Sequence, residues 1–91
     1  MSETGPQLTL YSRHECHLCE EMDQALAALR GELCFTLQTI DVDSAPEYRA
    51  RYGKFVPVLV DADGVSICHY RLDETALRGR IAAMRSRIAV R

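Results

Sequence analysis

Long apolar runs are missing from this chain. The longest is the hexapeptide Phe55 to Val60, far short of the roughly 18 residues that a membrane-spanning helix requires. No membrane span is expected. A positive excess is missing too: 11 Lys and Arg stand against 13 Asp and Glu, for a net charge of -2. That balance gives no electrostatic footprint for a nucleic-acid partner. The opening Met1-Ser2-Glu3-Thr4-Gly5-Pro6 has neither the basic segment nor the apolar stretch of a secretory signal, so the cytoplasm is the expected setting. Internal repeats, linkers and low-complexity segments are absent, which leaves a single domain over residues 1–91 with residues 1–6 expected to be a flexible N-terminus. Hydrophobic residues make up 47% of the chain, enough to bury one core without several disulfides.

What is present is ordered by its punctuation. Leu8 to Tyr11 reads as a first strand. From His17 to about Arg30, Leu18, Met22, Ala25, Leu26 and Leu29 recur at helical spacing, with Gly31 where a helix would stop. Leu33, Phe35 and Leu37 alternate like a strand before the apolar phase shifts to Ile40 and Val42, the pattern of a bulge or an early end. Ser44-Ala45-Pro46-Glu47 has the cap, proline and acid of a helix start, and Gly53 marks its end. Val56 to Val60 reads as a buried strand, Asp61-Ala62-Asp63-Gly64 as a turn, and Val65 to Tyr70 as the returning strand of a hairpin. Asp73 is placed to cap a last helix carrying Leu77, Ile81, Met84 and Ile88 on one stripe. The late arginines Arg78, Arg80, Arg85, Arg87 and Arg91 read as solvated cations complementing the helix dipole. The order β-α-β-α-β-β-α predicts an α/β fold. Its four-stranded sheet is mixed, partly parallel with an antiparallel hairpin, and has helices on both faces.

Four cysteines in a reducing compartment do not form a structural disulfide set, so each calls for redox chemistry, metal binding or burial. Cys16-His17-Leu18-Cys19 separates two of them by one helical turn, directly after the first strand. Cys19 shares the stripe of Met22, Leu26 and Leu29, whereas Cys16 sits at the open head of the helix. The unpaired N–H groups there favour a thiolate, the form that attacks disulfides, and Arg13, His14 and His17 add nearby positive charge or hydrogen bonds. Glu15, Glu20, Glu21 and Asp23 oppose it. The same pair also has the spacing of half a tetrahedral zinc or iron-sulfur site. The other half is missing, since Cys34, Cys68 and His69 lie singly on predicted strands, and Cys34 and Cys68 read as small buried hydrophobes. A thioredoxin-like module that only binds a protein partner is a further alternative. The tyrosines Tyr11, Tyr48, Tyr52 and Tyr70 read as packing residues.

With Cys16-His17-Leu18-Cys19 after the first strand and Val56-Pro57 before the third, the chain resembles the thioredoxin fold over roughly Leu8 to Ile88, and within it a small glutaredoxin-like protein. The resemblance implies a thiol-disulfide oxidoreductase active in cell redox homeostasis. In that reading Cys16 is the catalytic nucleophile, Cys19 the resolving thiol, and Arg13 and His17 modifiers of the thiolate. It further implies that Val56 and Pro57 bind substrate: the matching proline of the family is cis, which leaves the polar groups of the preceding residue free to pair with an extended peptide or glutathione. The implied partners are protein disulfides or glutathione as co-substrate, with no bound cofactor, no metal and a monomeric state. Two segments depart from the family. His17-Leu18 replaces proline and an aromatic residue between the cysteines, and His69-Tyr70-Arg71-Leu72-Asp73 lacks the paired glycines that precede the capping aspartate.

Overall fold

Leu8 and Leu10, both fully buried, alternate with Thr9 and Tyr11 along β1 (Gln7–Ser12), so the strand feeds two different faces of a sheet. The computed structural model describes residues 5–89, and side chains as far as residue 85. Of the segment expected to be flexible, residues 1–4 lie outside the described residues. Pro6 does not behave as expected: it is buried, and its carbonyl accepts a hydrogen bond from the Thr36 amide at 2.9 Å. Sheet pairing thus begins just before β1.

Helix α1 (His17–Leu33) runs past the expected stop near Arg30. Gly31 does not end it, because nothing crowds the position of a Cβ there and Leu33 still has core to bury against. Cys34 closes the helix instead. Its backbone turns left-handed at φ 56° and its amide donates to the Arg30 carbonyl at 2.9 Å. Cys34 is therefore exposed, not the small buried hydrophobe its strand-like context suggested. The second strand, β2 (Thr36–Asp41), begins correspondingly late and pairs in parallel with β1 from Gln7 opposite Thr36 to Ser12 opposite Asp41. Of the two alternatives expected here, a bulge or an early end, the bulge is absent: the register runs unbroken to Asp41, where the strand ends before Val42. A register shift occurs instead in the hairpin, between Leu59 and Val60.

A single 3-10 turn over Val42–Ser44, capped by the Asp41 carboxylate, leads into α2 (Pro46–Tyr52). Ala45, not Ser44, is the N-cap of α2; the Ser44 hydroxyl donates to the Asp41 carbonyl at 2.7 Å. Gly53 follows α2 as expected. A Cβ at that position would lie 2.5 Å from the Arg49 carbonyl oxygen, so the close approach of the chain explains the glycine. Strands β3 (Val58–Val60) and β4 (Ser66–His69) form the hairpin, with Gly64 at φ 81° in the turn. The buried Asp61 holds that turn: its Oδ1 accepts from the Asp63 and Val65 amides at 2.9 and 3.0 Å. The sheet order is β2-β1-β3-β4, with β3 antiparallel to both neighbours.

Helix α3 (Glu74–Ala89) starts at Asp73, whose Oδ1 accepts from the Ala76 amide at 3.0 Å. Leu77, Ile81 and Met84 are buried as their spacing predicts; the side chain of Ile88 lies outside the described residues. They join Leu8, Leu10, Met22, Leu26, Phe35 and Leu59 in one core between the sheet and helices α1 and α3. On the opposite face Tyr11 stacks on Tyr52 of α2, with ring centroids 4.0 Å apart. The sheet therefore has helices on both faces, and the element order β-α-β-α-β-β-α is the one the sequence predicts.

The late arginines are less solvated than expected. Arg78 bridges Glu74 of its own helix and Glu32 of α1, Arg80 reaches Asp61 Oδ2 at 3.4 Å, and Arg85 donates to the Leu33 carbonyl. These contacts tie α3 to the end of α1 and to the hairpin. The side chains of Arg87 and Arg91 lie outside the described residues. Among the described residues no helix is long and apolar enough to cross a membrane.

Candidate active site

Strand β1 delivers the chain to the head of α1 at the same end of the sheet where β3 begins, since Tyr11 pairs with Val58. Continuing that register past Ser12 sets the Arg13 region across from Val56 and Pro57. The topology thereby gathers the cysteine pair and the proline loop at one sheet end.

Cys16 is the N-cap of α1. Its backbone is extended, at φ -116° and ψ 107°, and its sulfur accepts a hydrogen bond from the Cys19 amide at 3.1 Å. A serine or aspartate oxygen ordinarily fills that role. Here a sulfur sits where the orphan amides and the positive end of the helix dipole converge, an arrangement that favours negative charge on it. The two cysteines are joined in a disulfide, with Cα atoms 5.2 Å apart. Cys16 is half-buried and Cys19 is buried, so the two sulfurs differ in access as their positions on the helix predict.

Both candidate thiolate modifiers are engaged with carboxylates. The Arg13 guanidinium donates to both Asp43 carboxylate oxygens, at 2.9 and 3.2 Å, and to the Gly53 carbonyl at 3.2 Å. Arg49 donates to the same carboxylate at 3.1 Å. The two arginines hold the Asp43 carboxyl below its ordinary range. Arg13 thus braces the β1–α1 connection against the 3-10 turn that leads into α2 and against Gly53, which closes it. His17 points outward and pairs with Glu21 one turn along α1, its Nε2 2.9 Å from the carboxylate. Glu21 also faces Arg71 at 3.7 Å, linking the head of α1 to the β4–α3 connection. His14 lies 3.4 Å from Asp41.

The Val56–Pro57 bond is cis, an isomer that sequence could not reveal. The Pro57 carbonyl accepts from the Tyr70 amide at 2.9 Å, and the Tyr70 hydroxyl donates to the Lys54 carbonyl at 3.1 Å. Tyr70 therefore holds the proline loop at two points. Its backbone lies at φ 65°, a left-handed conformation that glycine adopts freely and that tyrosine rarely does. Val56 is half-buried, and among the described residues its backbone N–H and carbonyl have no hydrogen-bond partner.

Two hollows flank the pair. One, of about 310 Å³, is lined by Ser12, Cys19 and Thr39 with the acids Glu15, Glu20 and Asp23. The other, of about 290 Å³, lies between α1 and the β4–α3 connection, lined by Leu18, Met22, Ala25, Tyr70 and Arg71. Glu21, Asp43 and Tyr70 are the functional neighbours that sequence reasoning missed as such. The contacts that matter lie far along the chain: Asp43 meets Arg13 and Glu21 meets Arg71 only in the assembled fold, and Tyr70 reaches the proline loop through the β3–β4 hairpin. Of the remaining cysteines, Cys68 is half-buried against the core, and burial pushes its thiol pKa up. Among the described residues no group of three or more His, Cys, Asp and Glu side chains is placed to hold a metal ion.

Comparison with known proteins agrees with this architecture. A family model described as a glutaredoxin-like domain (DUF836) matches residues 7–82. An uncharacterised protein of Mycobacterium tuberculosis is 39% identical over 82 residues, covering 85% of this chain and 84% of the relative. The solution structure of protein Ne2328 from Nitrosomonas europaea is 32% identical, with a TM-score of 0.78 over 89% of this chain and 96% of that one. An X-ray structure of protein XcR50 from X. campestris is 36% identical, with a TM-score of 0.64 over 84% and 96% of the two chains. A thioredoxin of Halobacterium salinarum, solved as a point mutant, is 26% identical with a TM-score of 0.63, over 89% of this chain and 75% of that one.

Proposed function

This chain belongs to the glutaredoxin-like domain family (DUF836), and on that premise we propose that it is a cytoplasmic thiol-disulfide oxidoreductase working through Cys16 and Cys19. The observation that carries the reading is the Cys16 sulfur acting as the N-cap of α1, hydrogen-bonded to the Cys19 amide and within bonding reach of its sulfur. A fold that only needed a cap would use an oxygen; a sulfur there is an attacking group held in a field that favours its anion.

In the reduced chain the Cys16 thiolate attacks one sulfur of a substrate disulfide. A new S–S bond forms to Cys16, the substrate S–S bond breaks, and the departing thiolate takes up a proton. Cys19 then loses its proton and attacks the Cys16 sulfur. The Cys16–Cys19 bond closes and the second substrate thiolate leaves, so the substrate gains two electrons and the chain loses them. A thiol reductant, with glutathione as the proposed candidate, restores the pair by the reverse exchange. The placement of Cys19 on the buried side of α1 supports its role as the second attacker, since a large substrate reaches Cys16 first.

Val56 and Pro57 are the proposed substrate contacts. The unpaired backbone groups of Val56 support this, because they can complete hydrogen bonds with an extended peptide backbone. Arg13 is proposed to act as a positioning residue, fixing the loop that precedes Cys16, and His17 as a solvent-facing hydrogen-bonding side chain one residue from the nucleophile.

The test is disulfide reduction by the purified chain, assayed with a protein disulfide and with oxidised glutathione. Cys16→Ser is expected to abolish turnover of both. Cys19→Ser is expected to stop at a mixed disulfide with the protein while keeping a glutathione-dependent monothiol route. Full turnover by Cys16→Ser would refute the assignment.

A further inference from the structure

The core side of the sheet is covered by the two long helices, but the other side has only the seven residues of α2. Among the described residues Val58 and Val60 on this side are themselves buried, at 4% and 3% exposure, so what opens beside α2 is a narrow groove and not bare sheet. A groove of about 360 Å³ lies between α2 and strand β4, with Val58 and Val60 as its floor and Tyr52, Phe55 and His69 along its sides. Phe55 is 44% exposed and packs edge-on against His69, with centroids 5.7 Å apart. Tyr70, also 44% exposed, extends the same aromatic surface toward the proline loop. Val65, at the far end beside Gly64, is 50% exposed. Of the large exposed hydrophobic side chains among the described residues, Phe55 lines the groove itself, Tyr70 adjoins it through Phe55 and His69, and Val65 follows Gly64 in the chain.

Two further features define what the groove fits. Among the described residues strand β4 is the outer strand of the sheet, so one row of its backbone groups has no strand partner there and can pair with an extended chain. Arg51 stands on the rim with its guanidinium 5.4 Å from the Tyr52 ring centroid. Among the described residues Arg51 has no carboxylate partner, as is also true of Arg30, Lys54 and Arg85, but of these Arg51 alone lines the groove; Arg13, Arg49, Arg71, Arg78 and Arg80 are each paired. An apolar floor beneath an unpartnered cation complements an apolar side chain next to a carboxylate.

We propose that this groove docks an extended peptide segment of a protein substrate in which an aromatic or aliphatic residue adjoins an acidic one. The proposal rests on the oxidoreductase reading for the word substrate, and it names the class: proteins whose disulfide is flanked by an acidic, apolar stretch. The groove starts at the sheet end that holds the proline loop, because His69 pairs with Val58 at the entrance of β3. A chain lying in it would run outward from the disulfide across the floor valines.

The experiment uses two synthetic peptides, each carrying one cysteine in mixed disulfide with thionitrobenzoate. They differ only in a flanking Phe-Glu or Phe-Lys pair. Release of thionitrobenzoate by the reduced chain reports exchange, and bis(2-hydroxyethyl) disulfide serves as a small substrate that does not fill the groove. The wild-type chain is expected to favour the Phe-Glu peptide by about threefold to fivefold, the scale of one rim charge pair. Arg51→Glu is expected to reverse that preference. Ser66→Trp, which fills the groove from the exposed edge, is expected to slow both peptides about tenfold, the scale of excluding one aromatic side chain. Both variants should handle the small disulfide like the wild type. Equal rates for the two peptides, unchanged by either variant, would overturn the proposal. Binding of a cysteine-free, fluorophore-labelled Phe-Glu peptide to the oxidised chain is read in parallel by anisotropy. If no disulfide is exchanged, the oxidoreductase reading fails by itself. The groove is then judged by anisotropy: weakened binding in both variants supports it, and no binding overturns it.

Discussion

Reducing the Cys16–Cys19 bond should leave this protein folded, and the expected loss can be worked from the size of the loop. The bridge closes a ring of four residues. In the chain-entropy account such a short loop removes only about 2 kcal/mol of freedom from the unfolded chain. The core that carries the fold does not depend on it, since the cluster of Leu8, Leu10, Met22, Leu26, Leu59, Leu77 and Ile81 includes neither sulfur. For a domain of this size about 2 kcal/mol corresponds to roughly 8–16 °C in melting temperature. The assay is thermal and urea unfolding, followed by circular dichroism, of the oxidised chain, the reduced chain and the Cys16→Ser/Cys19→Ser double variant. All three should unfold cooperatively, with the reduced chain and the double variant close together and below the oxidised chain by that interval. Unfolding of the reduced chain at room temperature, or a deficit above about 4 kcal/mol, would mean that the bridge is a structural staple. A staple that fails on reduction cannot be a centre that cycles between both states.

Other consequences are open to separate measurement. Asp73→Ala removes the acceptor for the Ala76 amide at the head of α3 and should cost about 1 kcal/mol in urea unfolding, with Asp73→Ser restoring most of it. In an alkylation time course at neutral pH, the exposed Cys34 should label much faster than Cys68, whose thiol is held protonated by burial. Rapid labelling of Cys68 would show that strand β4 opens readily. The brace on the β1–α1 connection should be acid-sensitive. Arg13 and Arg49 depress the Asp43 carboxyl, so its contribution is complete above the ordinary aspartate range and is lost as pH falls through the depressed value. Spectra of the Arg13 side chain recorded by NMR should therefore be constant from pH 8 to about 5 and move only in stronger acid; in Asp43→Asn they should no longer follow an Asp43 titration.

The site was more legible than the boundaries around it. A cysteine pair between a strand and an amphipathic stretch places one sulfur at a helix head by local geometry alone, and Asp73 and the Leu77, Ile81 and Met84 stripe are equally local signals. The end of α1 was misread because Gly31 is a stop signal only when nothing further along the helix is buried, and Leu33 is. That misreading carried Leu33 and Phe35 into a strand and placed Cys34 inside the protein, whereas it is the exposed left-handed cap. The isomer of Pro57 and the pairings of Arg13 with Asp43 and Arg78 with Glu32 had no local signal. Such pairs span 30 and 46 residues and exist only once the sheet and helices have assembled.

Cys16, as the attacking sulfur, should be the first to form a bond with a disulfide substrate. The most direct measurement treats the reduced Cys19→Ser variant with excess oxidised glutathione and locates the resulting adduct by peptide mass spectrometry. A mixed disulfide is expected on Cys16 well before any on Cys34, although Cys34 is the more exposed. An adduct that forms first on Cys34, or none on Cys16, would contradict it.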